Sequence, residues 1–187
     1  MRPKFMRVAV MLASMCAISA VGVASASAHE FQASKAGTLK GKQLNNLKFK
    51  SATLSFECKT ETSEGKVVAG SQETLKQVVN YQESCSIEGF VTTVTTADYG
   101  FSAGGSLTPE NGLIVKALSW CTITINPQKA IKTVEYKNLA GGKLEIKSSL
   151  SGIAFETAGL CGKKSETNGT ETANTEVALE GGTVEWK

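Results

Sequence analysis

Cys121, Ile123 and Ile125 alternate with Trp120, Thr122 and Thr124 inside the stretch 113–128, and this alternation limits the possible folds more than any other feature. A period of two is that of a β-strand with one face buried. Asn126-Pro127 ends the run, because proline has no amide hydrogen to give a sheet ladder. A cysteine on the inward face predicts a strand tied covalently to another part of the chain.

The same period recurs along the sequence. Leu47 and Phe49 alternate with lysines, and Leu54, Phe56 and Cys58 alternate with Ser55 and Glu57. Over 73–85, Leu75, Val78 and Val79 would suit a helix face, whereas Leu75, Val79, Tyr81 and Cys85 suit one face of a strand. The β-branched and aromatic content favours the strand. Phe90 to Thr96, Ile131 to Tyr136, Leu144 with Ile146, Ile153 with Phe155, Thr175 to Leu179, and Val184 with Trp186 read as further strands. Thr60 to Gly65 is expected to turn, Lys66 to Ala69 to begin a strand, and the polar stretch from Gly162 to Asn174 to form a loop. Pro109-Glu110-Asn111-Gly112 predicts a turn, with Asn-Gly the pair best suited to a tight hairpin. Many short strands with regular turns predict an all-β fold: a single antiparallel β-sandwich or partly closed β-barrel domain.

The chain divides into three. Residues 1–28 open with Arg2, Lys4 and Arg7, continue with an apolar run and end on Ala24-Ser25-Ala26-Ser27-Ala28, the order of a cleaved signal peptide. Residues 29–46 are polar and lysine-rich and read as a flexible mature N-terminus. The all-β domain is expected over 47–187. The apolar run is shorter than the ~20 residues of a membrane span, so no transmembrane anchor is expected. The chain has 20 Lys plus Arg against 17 Asp plus Glu. All three surplus cations, and both arginines, lie in the leader, so the mature charge is balanced. Guanine-edge and phosphate contacts rely heavily on arginine, which argues against a nucleic-acid partner.

Beyond the leader stand Cys58, Cys85, Cys121 and Cys161. An even number in an exported chain predicts structural disulfides, with three connectivities open. Pairing Cys58 with Cys85 and Cys121 with Cys161 is favoured, since each pair brackets a continuous group of strands. A zinc site would need close cysteine pairs or accompanying histidines, and the chain has neither; no metal or cofactor is expected. His29 is the only histidine and Asp98 the only aspartate, so neither a positioned base for a serine or cysteine nucleophile nor a carboxylate-rich calcium loop is visible. No catalytic residue is assigned. Two glutamates acting as acid and base remain the one enzymatic route. Glu57, Glu135, Glu145 and Glu156, however, alternate with apolar residues as solvated outer faces do.

The run Trp120 to Gln128, followed by Val134-Glu135-Tyr136-Lys137-Asn138 and Cys161, together with Phe56-Glu57-Cys58 and the segment 81–85, resembles a group of secreted, uncharacterised β-rich proteins of soil actinobacteria. The resemblance covers about Phe49 to the end and rests on cysteines, glycines and strand edges. It implies an exported β-fold and brings no known activity. Some members carry a further cysteine near the position of Ala97, from which this chain departs. The expected function is therefore that of a secreted, non-catalytic structural or binding protein of the cell envelope or extracellular medium. Its expected partner is an envelope or extracellular polysaccharide or protein. The alternative is a secreted glutamate-based hydrolase acting on glycans. Exported protein should begin at His29 or within a few residues of it; an intact mass that still includes Met1 contradicts the leader assignment.

Overall fold

The computed structural model describes residues 29–81, 85–117 and 120–187. The leader over 1–28 lies outside them. In chain order the strands are β1 (Phe31–Ala33), β2 (Gly37–Lys50), β3 (Ser55–Cys58), β4 (Glu61–Val67), β5 (Gly70–Gln72) and β6 (Thr74–Tyr81). Next come β7 (Cys85–Ile87), β8 (Phe90–Val91), β9 (Thr93–Val94), β10 (Ala97–Ser102), β11 (Ser106–Pro109) and β12 (Leu113–Ala117). The chain closes with β13 (Cys121–Ile125), β14 (Ile131–Lys132), β15 (Val134–Leu139), β16 (Lys143–Gly159), β17 (Lys164–Leu179) and β18 (Val184–Trp186). No helix occurs among the described residues. The fold is all-β, and a curled antiparallel sheet forming a half-barrel is the form it takes.

Three long strands make the wall of the curl, in the order β2-β17-β16. β17 lies between the other two, and β2 and β16 are each long enough to serve two sets of outer neighbours. At one end, β2 pairs with β4 through Gly37 to Lys42, and the sheet runs on through β6, β10 and β11, while β16 pairs with β15 through Lys143 to Ser148. At the other end, β2 pairs with β3 through Leu47 to Lys50, followed by β7 and β8. There β16 pairs with β13 through Glu156 to Gly159, followed by β12 and β9. Register shifts beside Gly152 (φ 76°) in β16 and around Asn174 in β17 mark the bulges that bend the wall between its two halves.

Each end is drawn together by one kinked segment. Ile131 and Lys132 pair with β11, the backbone turns at Thr133 (φ 92°), and Val134 onward pairs with β16. The Gly105 carbonyl accepts from both the Thr133 and Val134 amides, at 3.1 Å each. At the opposite end Phe90 and Val91 pair with β7, Thr92 donates to the Cys85 carbonyl at 2.9 Å, and Thr93 and Val94 pair with β12. Glu88 (φ 49°) and Gly89 (φ 89°) form the two-residue turn between β7 and β8. A separate three-stranded sheet, β18-β1-β5, packs on the β15 end: the fully buried Phe31 meets the Tyr136 ring edge-on at 4.9 Å, and the Trp186 indole donates to the Ala103 carbonyl at 3.0 Å.

Several expectations hold. Residues 74–81 are a strand with Leu75, Val79 and Tyr81 inward, and Leu113 to Ile125 divides into the two paired strands β12 and β13. Others are corrected. The stretch 29–46 is not a flexible lead: it supplies β1 and most of β2, because Phe31, Ala33 and Leu39 are buried and its lysines point outward. Residues 61–65 are strand rather than turn, and the expected loop over 162–174 is mostly β17. Asn111-Gly112 makes no hairpin, since β11 and β12 are not paired; Asn111 instead accepts from the Asp98 amide at 2.6 Å and donates to the Asp98 carboxylate at 2.9 Å, turning the chain from one end of the curl to the other.

The disulfides are Cys58–Cys85, directly opposite each other on β3 and β7, and Cys121–Cys161, which ties the start of β13 to the turn after β16. Both lie at the same end of the wall. Cys121→Ser should leave Cys161 unpaired and lower stability by roughly 2–5 kcal/mol, as read from denaturant unfolding. The parent should show no free thiols and two linked peptide pairs on non-reducing mapping.

Candidate functional site

Alternation delivers polar as well as apolar side chains to the interior. On β4, Glu61 and Ser63 point inward; on β6, Gln77 and Tyr81; on β10, Tyr99; on β17, Glu171 and Thr175. Glu61 and Glu171 are only 5% and 6% exposed. They line one cavity of about 30 Å³. Glu171 stands opposite Phe49 of β2 and Leu150 of β16, midway along the wall, so the belt lies where the two halves of the curl meet.

Thr175 donates to one oxygen of Glu61 at 2.9 Å, while the other oxygen has no partner. The Tyr81 and Tyr99 hydroxyls are bonded at 2.8 Å. Burial raises the Glu61 carboxyl, with the Thr175 bond opposing the shift. Burial, and then the Glu61 charge, push Glu171 up to about 8. Both tyrosines are raised, by burial first and then by neighbouring groups that include both glutamates. Glycines make room for the belt: a Cβ at Gly65 would collide with the Lys76 carbonyl and stand 2.6 Å from the Gln77 amide nitrogen, and one at Gly41 would overlap the Ser63 hydroxyl.

Two further features lie on the surface. An open groove of about 480 Å³ crosses the outer faces of β4, β6 and β10 and includes Glu64, Val78, Asp98 and Glu110. Lys76 holds the Glu110 carboxylate at 2.9 Å. At the disulfide end, Phe90, Val91, Trp120 and Leu160 form an apolar tip. The Phe90 and Trp120 rings meet edge to face at 5.7 Å, and the Leu160 amide donates to the Trp120 carbonyl. Phe90 and Val91 are exposed, and Leu160 is 86% exposed.

The residues singled out from sequence fall into place unevenly. The four cysteines form two staples beside the apolar tip rather than a ligand set. His29 stacks on Trp186 at 4.3 Å. Glu135 and Glu156 are exposed and Glu57 and Glu145 partly so, as outer-face residues should be. Glu61 and Glu171 went unrecognised because their segments were read as turn and loop. The signal was present: carrying the Thr175-Val177-Leu179 alternation back by two positions at a time reaches Ala173 and then Glu171. Among the described residues no group of three or more histidine, cysteine or acidic side chains is placed to hold a metal. Compared with family models, curated proteins and solved structures, the chain matches none.

A carboxyl raised in the folded state makes folding favour the protonated form, so its stabilising contribution is complete below its unfolded value and lost as pH rises through about 8. Stability measured in chelator should therefore fall between pH 5 and pH 8.5, by on the order of a few kcal/mol. Glu171→Gln, a neutral isostere, should flatten most of that slope and be the more stable form at pH 8.5. An unchanged slope in the variant contradicts the assignment.

Proposed function

We propose that this is a secreted, non-catalytic binding or structural protein, working at the cell envelope or in the medium and contacting its partner through the tip of Phe90, Val91, Trp120 and Leu160. The observation that carries this is the tip itself. Large exposed apolar side chains gathered at one end of a molecule cost solvation in a monomer and mark contact surfaces. An aromatic pair on a disulfide-braced end loses little entropy on binding. Two disulfides fit an oxidising compartment. The interior carboxyl pair supports the same reading, because about 30 Å³ cannot admit a sugar ring and ligand pockets run to hundreds of Å³.

The alternative, a glutamate-based glycan hydrolase, draws on the outer groove, where Glu64 and Glu110 share an open space large enough for a saccharide. The two readings separate in one experiment. Mature protein should co-sediment with an envelope fraction of the producing cells. Phe90→Ser with Leu160→Ser should abolish this while leaving the melting temperature within a few degrees, since both side chains are exposed. Parent protein that stays in the supernatant, or binding untouched by the double variant, overturns the tip as the contact. Release of reducing sugar by the parent but not by Glu64→Gln establishes the hydrolase instead.

A further inference from the structure

The belt holds two buried carboxyls that its neighbours do not fully pair. Glu61 and Glu171 face the same cavity, and none of the residues around it is a lysine, arginine or histidine. Gln77 lines it too. That side chain is 2% exposed, and neither its carbonyl oxygen nor its amide nitrogen has a hydrogen-bond partner; nor has the second oxygen of Glu61. Buried polar atoms are almost always paired. Here three unpaired atoms belong to two side chains that line one cavity.

We propose that this cavity binds a single calcium-class cation, held by carboxylate oxygens of Glu61 and Glu171 and the carboxamide oxygen of Gln77, with hydroxyls of Ser63 and Tyr99 within the same lining. The donor set is all oxygen, as hard cations require. Water alone could pair with Gln77, but it would leave the two buried carboxyls with no cation among the residues that line the cavity. A divalent ion neutralises both; a monovalent ion leaves one charge buried. The volume of about 30 Å³ holds an ion with about one water and excludes any organic ligand. Magnesium fits poorly, because it keeps several waters in a rigid octahedral shell. The water completing a calcium shell would accept from the Gln77 amide nitrogen. The site is independent of the apolar tip, and it shares Gln77 and Tyr99 with the lining of the outer groove.

The test uses the mature, disulfide-bonded protein freed of metal with a chelator. Calcium at millimolar concentration should raise its melting temperature by about 5 °C, and magnesium at the same concentration by much less. Glu171→Gln and Glu61→Gln, each checked for native circular dichroism and intact disulfides, should lose the calcium shift. Titration calorimetry on the parent near pH 7 needs no variant: calcium should bind at one site per chain, and magnesium should give little heat. No calcium-dependent shift or heat overturns the site. So does a shift retained in both variants, which places binding on surface carboxylates.

Discussion

The backbone pairing of β2, β17 and β16 is the constraint on which everything else depends. β17 pairs with β2 and β16 along its length, whereas β2 and β16 are too long on their outer sides for one neighbour, so the two halves of each recruit different partners. Bulges at the midpoint add twist and bend the wall. Both ends then curl in the same sense, and Thr92 and Thr133 each pass the chain from one strand edge to another, which limits the unpaired edge that a long open sheet would expose. One continuous apolar core results, running from Phe31 and Leu179 at one end to Ile87 and Cys121 at the other.

The two ends solve the stability problem differently. At the β4–β6–β10 end the strands are long and a capping sheet covers the core, so a belt of buried glutamate, glutamine and tyrosine is tolerated. Burying such groups is costly unless they are paired or neutral, and burial duly pushes Glu171 up to about 8. At the opposite end β3, β7, β8 and β9 hold only two to four residues each, too few for strong pairing. Both disulfides are found there. They constrain the unfolded chain where the sheet contributes least, and they fix the frame on which Phe90, Trp120 and Leu160 stand exposed.

Sequence patterning reveals the strands whose inward positions are apolar and misses those whose inward positions are not. Cys121-Ile123-Ile125, Leu75 to Tyr81 and Ile153 with Phe155 announce themselves because burial and hydrophobicity coincide. Glu61-x-Ser63 and Glu171-x-Ala173-x-Thr175 keep the period of two but carry polar groups inward, so they read as turn and loop. The first strands fail for another reason: Phe31 and Leu39 are sparse among lysines and small residues, and their burial depends on partners more than a hundred residues away, in β17 and β18. Asn111-Gly112 shows the limit of turn chemistry, since the same dipeptide that closes hairpins here turns the chain between two ends of a curl. The cysteine pairing was legible because each bridge joins strands close in sequence; the apolar tip was not, because exposure of Phe90 and Leu160 is a property of the assembled end.

Native-state hydrogen exchange tests most directly whether the shared wall makes both ends one cooperative unit. Amides of β2, β17 and β16 should exchange only through global unfolding, with the same opening free energy from Gly41 to Lys50 and from Thr170 to Leu179. Two separate opening free energies, one for the β4–β6–β10 half of the wall and another for the disulfide half, would contradict the account: the long strands would then connect two independent barrels rather than hold one.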